Sequence, residues 1–145
     1  MEQRQSISKP PYLLSRPFFR GQGITEFALI ILGVLILIFS VMQGASAVAA
    51  YDFVTYAARD AARYAMVRGS TSPTPASTTD VTNFVLAEAQ GINPAALTVT
   101  TTWNPTNAPG NTVSVKVAYA FAPIAHLAST VTLSLSSTSQ MVISQ

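Results

Sequence analysis

Cysteine is absent from the 145 residues, which excludes a disulfide framework and any thiolate nucleophile or thiolate metal ligand. Charge is scarce: 10% of residues are charged, against about 25% in an ordinary soluble domain. The single histidine, His126, lies in the apolar stretch PIAHLA with no second histidine or carboxylate close in sequence, the setting of a loop or surface residue. No G-x-S-x-G elbow and no phosphate loop occurs. The five carboxylates after Gly21 do not pair at a spacing suited to acid–base chemistry or a metal. The expectation is a protein that is not an enzyme, with no catalytic residues, no cofactor and no metal.

The charge that is present is unevenly placed. Arg4, Lys9, Arg16 and Arg20 fall in the first twenty residues with only Glu2 against them. From Gln22 onward four basic residues (Arg59, Arg63, Arg68, Lys116) face five acidic ones (Glu26, Asp52, Asp60, Asp80, Glu88), a net charge of −1. The basicity therefore belongs to a leader, residues 1–21, broken by Pro10, Pro11 and Pro17, and a nucleic-acid role loses its support. A basic segment directly before an apolar run keeps the N-terminus cytoplasmic and sends the downstream chain across the membrane.

From Phe27 to Met42 every residue is apolar except Gly33 and Ser40, and no charge occurs between Glu26 and Asp52. A bilayer core needs about 20 such residues, so the expected transmembrane half runs over about 24–50. A secretory signal cleaved at Ala45-Ser46-Ala47 is the competing reading, but its apolar region would exceed the usual length of roughly 7–15 residues and open on a carboxylate. Glu26 is the informative residue. A carboxylate at the bilayer centre costs about 2.5–3.5 kcal/mol and less near the interface, so a plain anchor has no use for it. A cut between Gly21 and Gln22 would place a new α-amine four positions before Glu26, on the same helical face.

The order of a basic residue, a glycine at the cut and a glutamate five residues into the mature chain, succeeded by a long apolar helix, resembles a type IV pilin processing site, carried here by Arg20, Gly21, Gln22 and Glu26. GQGITEFALI together with TYAARDAARYAMVRG (Thr55 to Gly69) resembles the TadE-like proteins, the minor pilins or pseudopilins of the tight adherence (Tad) pilus system. The resemblance covers Gly21 to Gly69. It implies cleavage after Gly21 by a prepilin peptidase, a role for Glu26 in subunit assembly, and a single-pass place in a bacterial inner membrane or a surface pilus. The implied partners are other pilin subunits, in a homo- or hetero-oligomer, and inner-membrane pilus assembly proteins; the downstream role is adhesion. Gly23 offers a rival cut site.

The apolar run passes without a breaker into an amphipathic stretch, with Val54, Ala57 or Ala58, Ala61, Ala65 and Met66 at helical spacing. One helix is expected from about Ile24 to Arg68, roughly 65 Å long. Arg59, Arg63 and Arg68 suit its C-terminal dipole, Asp60 is spaced to pair with Arg63, and Gly69 is a natural C′ residue. Alanines on one face allow neighbouring helices to approach.

Beyond Gly69 the chain reads as a Ser/Thr/Pro linker over 70–79 and a small head over 80–145. Asp80 is placed to cap a short helix from Val81 to Gln90 stopped by Gly91. Three strands are expected at Leu97 to Trp103, Thr112 to Phe121 and Val131 to Ile143, with Ser137 and Ser139 signalling a bulge or an exposed centre in the third. The expected fold is α+β: a long N-terminal helix, membrane-spanning and then amphipathic, with a three-stranded antiparallel sheet covered by the short helix and the outer half of the long one. Such a core is marginal alone. Two other functions compete with a pilin-like subunit: a permanently anchored protein whose external head is a binding module, and a binding module secreted after Ala47.

Overall fold

The computed structural model describes residues 22–123 and 132–145. The leader, Gly21, His126 and Val131 lie outside the described residues. The order of elements is α1 (Gln22–Met66), α2 (Thr78–Glu88), a single 3₁₀ turn (Pro94–Ala96), β1 (Leu97–Asn104), β2 (Thr112–Phe121) and β3 (Leu133–Val142). The expected α+β architecture is present. The chain divides into two compact units, Met1–Ile38 and Phe39–Gln145, and α1 contributes to both.

α1 is 45 residues long and free of proline. Two of its polar side chains satisfy themselves inside the helix: the Ser46 and Thr55 hydroxyls donate to the carbonyls of Met42 and Tyr51, each at 3.0 Å. The helix begins at Gln22 rather than Ile24 and stops at Met66 rather than Arg68. The early stop has a physical cause. The Ser144 N–H and hydroxyl donate to the Met66 carbonyl at 3.0 and 3.2 Å, and the Ala76 N–H donates to the Arg68 carbonyl at 2.9 Å, so distant segments take over the carbonyls at the helix end.

α2 starts three residues before the expected Val81, and its cap is Ser77, not Asp80. The Asp80 N–H donates to the Ser77 hydroxyl oxygen at 3.2 Å, while the Asp80 carboxylate accepts from the Ser77 N–H at 2.9 Å and from its hydroxyl at 2.7 Å. This is a capping box, in which the acidic residue belongs at the third helical position. The Ser77 N–H, then its hydroxyl, and then, against a little desolvation, the Arg68 charge hold the Asp80 carboxyl below its ordinary range. A lowered folded-state value means stability that is present above the ordinary carboxylate pKa and lost as pH falls through the folded one. Ser77→Ala should therefore lower stability by about 1 kcal/mol at neutral pH and flatten the acid limb below about pH 4, read from thermal melts across pH. The expected linker is also less free than its composition implied. Thr78 and Thr79 belong to α2, Ala76 is buried, and the Ser70 N–H donates to the Asn107 carbonyl at 2.7 Å.

The sheet has the order β1-β2-β3, with both pairs antiparallel. β1 and β2 match the expected strands to within one residue, and β3 falls inside its expected span. Of the bulge or exposed centre expected at Ser137 and Ser139, the bulge is absent: β3 pairs with β2 in one unbroken register, which sets Ser137 opposite Val117 and Ser139 opposite Val115. The odd-numbered residues of the sheet face the helices. Val113, Val115 and Val117 are fully buried there with Val54, Ala58, Ala61, Ala62 and Ala65 of α1 and Val81 and Val85 of α2. Burying each valine stabilises by about 1.5–3 kcal/mol, and the alanines of α1 belong to the same core. Among the described residues the core holds no buried polar or charged side chain.

Candidate functional site

Two regions of α1 carry the residues singled out from the sequence. The first is its N-terminal part. Every large apolar side chain from Ile24 to Met42 is exposed, from 44% at Leu35 to 72% at Ile24, so nothing described in the chain itself covers this stretch. α1 is the one helix among the described residues long and apolar enough to cross a membrane. Glu26, the fifth residue of the helix, is exposed within this apolar sleeve, and the first turn carries no acidic residue. Gln22 opens the helix, four positions earlier. A carboxylate and a helix start are thus brought within one turn of each other; Gly21 lies outside the described residues.

The second region is the C-terminal turns of α1. Arg59 and Arg63 are exposed and Asp60 is half-buried. Arg68 lies over the Tyr64 ring at 3.9 Å from its centroid, and Tyr64 stacks on Phe84 of α2 at 4.6 Å between ring centroids. A cation over a ring at such a distance is attractive by about 0.5–1 kcal/mol at an exposed site, so Arg68 holds the Tyr64 ring, whose stack on Phe84 joins α1 to α2. An open groove of about 810 Å³ is lined here by Asp60, Arg63, Tyr64, Met66, Val67, Phe84 and Met141. Burial first, and the Asp60 charge second, push the Glu88 carboxyl above its ordinary range. A raised folded-state value in an acid means stability that is full at low pH and lost as pH rises through the folded pKa. Glu88→Gln should raise the melting temperature slightly at pH 7 and leave it unchanged at pH 3.

Two features of this region were not legible in the residue pattern. The Tyr64–Phe84 stack joins two helices across the linker, and Gly69 acts by size rather than conformation. Positive φ occurs at Gly91 and Gly110, at +77° and +83°, and not at Gly69. A Cβ at Gly69 would collide with the Gln145 carbonyl and the Ile143 side chain. Among the described residues no group of three or more His, Asp or Glu is placed to hold a metal ion.

The family model described as TadE-like protein matches residues 21–63. This segment is TadE-like. The TadE-like match begins at Gly21, takes in Gln22, Glu26, Arg59, Asp60 and Arg63, and ends inside α1, so it excludes α2 and the whole sheet. The likeness of this segment to a structural, pilus-associated family, together with the one long apolar helix, suggests a membrane-anchored, pilus-associated protein. Neither the curated proteins nor the solved structures give a match to the chain.

Proposed function

We propose that the chain is a minor pilin or pseudopilin of a Tad-type pilus, cut after Gly21 by a prepilin peptidase and assembled into the pilus or at its base, where it supports surface adhesion. The observation that carries this reading is the TadE-like segment itself: an apolar helix flank without cover, interrupted by one carboxylate, Glu26. An uncovered apolar flank needs lipid before assembly and neighbouring helices after it. The stretch Ile24 to Met42 gives roughly 28 Å of helix at 1.5 Å per residue, close to the 30 Å of a bilayer core. The basic leader holds the N-terminus in the cytoplasm and the head outside. The freed α-amine of Gln22, in the same or a neighbouring subunit, neutralises Glu26, and the exposed Arg59 and Arg63 are available to acidic groups on neighbouring pilins or inner-membrane assembly proteins. Deleting the coding sequence in the native host should remove surface pili and attachment, both restored by the intact chain. Normal piliation in the deletion strain would contradict the reading.

A further inference from the structure

One side of α1, with Val54, Ala58, Ala61 and Ala65, is buried in the core. The opposite side carries Asp52, Tyr56, Arg59 and Arg63, all of them exposed. At 3.6 residues per turn these four positions fall within a sector of about 60°, so they form one straight stripe along the helix. Ala45 and Ala49, also exposed, continue it toward the N-terminus with small side chains. Tyr56 is 70% exposed, and nothing described in the chain covers the stripe.

Charges on an exposed helix support it when opposite signs stand three or four residues apart. This stripe departs from that pattern. At those spacings Asp52 has Val48 and Ala49 before it and Thr55 and Tyr56 after it, and no base. Arg59 and Arg63 stand four apart, the spacing at which like charges repel. Asp60, the acid nearest to Arg63 in sequence, is half-buried, and its charge acts on Glu88 of α2. Among the described residues Asp52, Arg59 and Arg63 make no ion pair. An unpaired acid and two mutually repelling bases thus share one bare face.

The complement of this face is the same face of another copy, displaced. Two copies anchored by α1 in one membrane run the same way, a step that rests on the anchoring given under the proposed function. At equal height they set Asp52 against Asp52 and arginine against arginine. Shifted along the axis by roughly 14 Å, at 1.5 Å per residue, the Asp52 of one copy comes level with the gap between Arg59 and Arg63 of the other. The core of each copy is on the far side of its own α1, clear of the contact.

We propose that this charged stripe is a self-docking surface, on which a second copy of this chain lies parallel and offset, with its Asp52 between Arg59 and Arg63 of the first. The contact is heterologous, since the two copies contribute different residues. Exposed ion pairs add little affinity; here they fix the direction and register of the pairing.

The test uses the absence of cysteine from the chain. Two differently tagged full-length copies are made together in the native host, one carrying Ala49→Cys and the other Tyr56→Cys, and are treated with a short bifunctional thiol reagent. The offset brings these two positions to nearly the same height, and neither change touches a charge. An adduct joining the two tags should form, while cysteine at position 49 in both copies, or at position 56 in both, should give little. Asp52→Arg should lower the adduct by roughly five-fold or more, and Asp52→Asn should lower it less. Adding Arg59→Asp and Arg63→Asp to the Asp52→Arg chain should restore it, because the signs are then exchanged. Thermal melting checks that each variant is folded. No adduct between the tags, same-position adducts as strong as the mixed one, indifference to Asp52→Arg, failure of the folded charge exchange to restore the adduct, or a cross-link only to a different polypeptide would each overturn the proposal. The mature N-terminus read from the same cells keeps the two ideas apart. A retained leader with a charge-dependent adduct sinks the pilin reading alone, and a removed leader without an adduct sinks the self-docking surface alone.

Discussion

Glu26→Ala is expected to enter the membrane at least as well as the wild type and to lose pilus assembly. The substitution removes a charge from an exposed apolar sleeve, and a carboxylate opposes insertion by up to about 2.5–3.5 kcal/mol, so a defect in insertion would run the wrong way. Under the proposed function, what is lost is the partner of the α-amine freed at Gln22. A hydrogen bond to a charged group contributes about 1.5–3 kcal/mol, and each 1.4 kcal/mol is ten-fold in an equilibrium constant. Assembly should therefore fall between about ten- and a hundred-fold. Glu26→Gln keeps the shape and hydrogen-bonding capacity without the charge, and it should fall between the two. Membrane fractionation and pilus counts on the same cells separate insertion from assembly; full piliation in Glu26→Ala would remove the assembly role.

Gly69→Ala should be the most damaging small substitution in the head. The new methyl group has no space: the Gln145 carbonyl and the Ile143 side chain occupy its place. The tail is forced away, and with it go the Ser144 hydrogen bonds to the Met66 carbonyl, the Gly110 N–H bond to the Ile143 carbonyl, and the burial of Ile143, which is 1% exposed. Overpacking of this kind costs about 1–3 kcal/mol and each lost bond about 0.5–1.5 kcal/mol. A total near 3 kcal/mol would lower the melting temperature by more than about 10 °C in a head of this size. Gly44→Ala is the matched control. A Cβ there meets open space, and alanine favours a helix by about 1 kcal/mol over glycine, so that variant should melt at or above the wild type.

The contrast between these two glycines marks how far the chain could be read from its residues. Periodicity located α1, α2 and all three strands, because an alanine and valine face at helical spacing and a valine at every second residue of β2 leave few alternatives. Ser137 and Ser139 misled, since they sit at core-facing positions; the unbroken pairing with buried Val117 and Val115 keeps them in register without a bulge. Asp80 was assigned the wrong place in its cap because a serine and an acid three residues apart form a box in which the serine leads. Gly69, Ser144 and the Tyr64–Phe84 stack depend on contacts between segments far apart in sequence, and no local pattern encodes them. For the proposed processing site the situation is reversed. Glu26 and the glycine before Gln22 were evident as an anomaly of charge and spacing, and the TadE-like match falls on the same residues.

The central claim, that this is a processed pilin-like subunit, stands most directly on the mature N-terminus. Intact-mass measurement of the protein purified from its native host should give a chain beginning at Gln22, with residues 1–21 removed. A start at Ile24 would move the cut to Gly23 and keep the claim. A chain that retains the leader in cells with a functional prepilin peptidase, or one that begins at Val48, would contradict it.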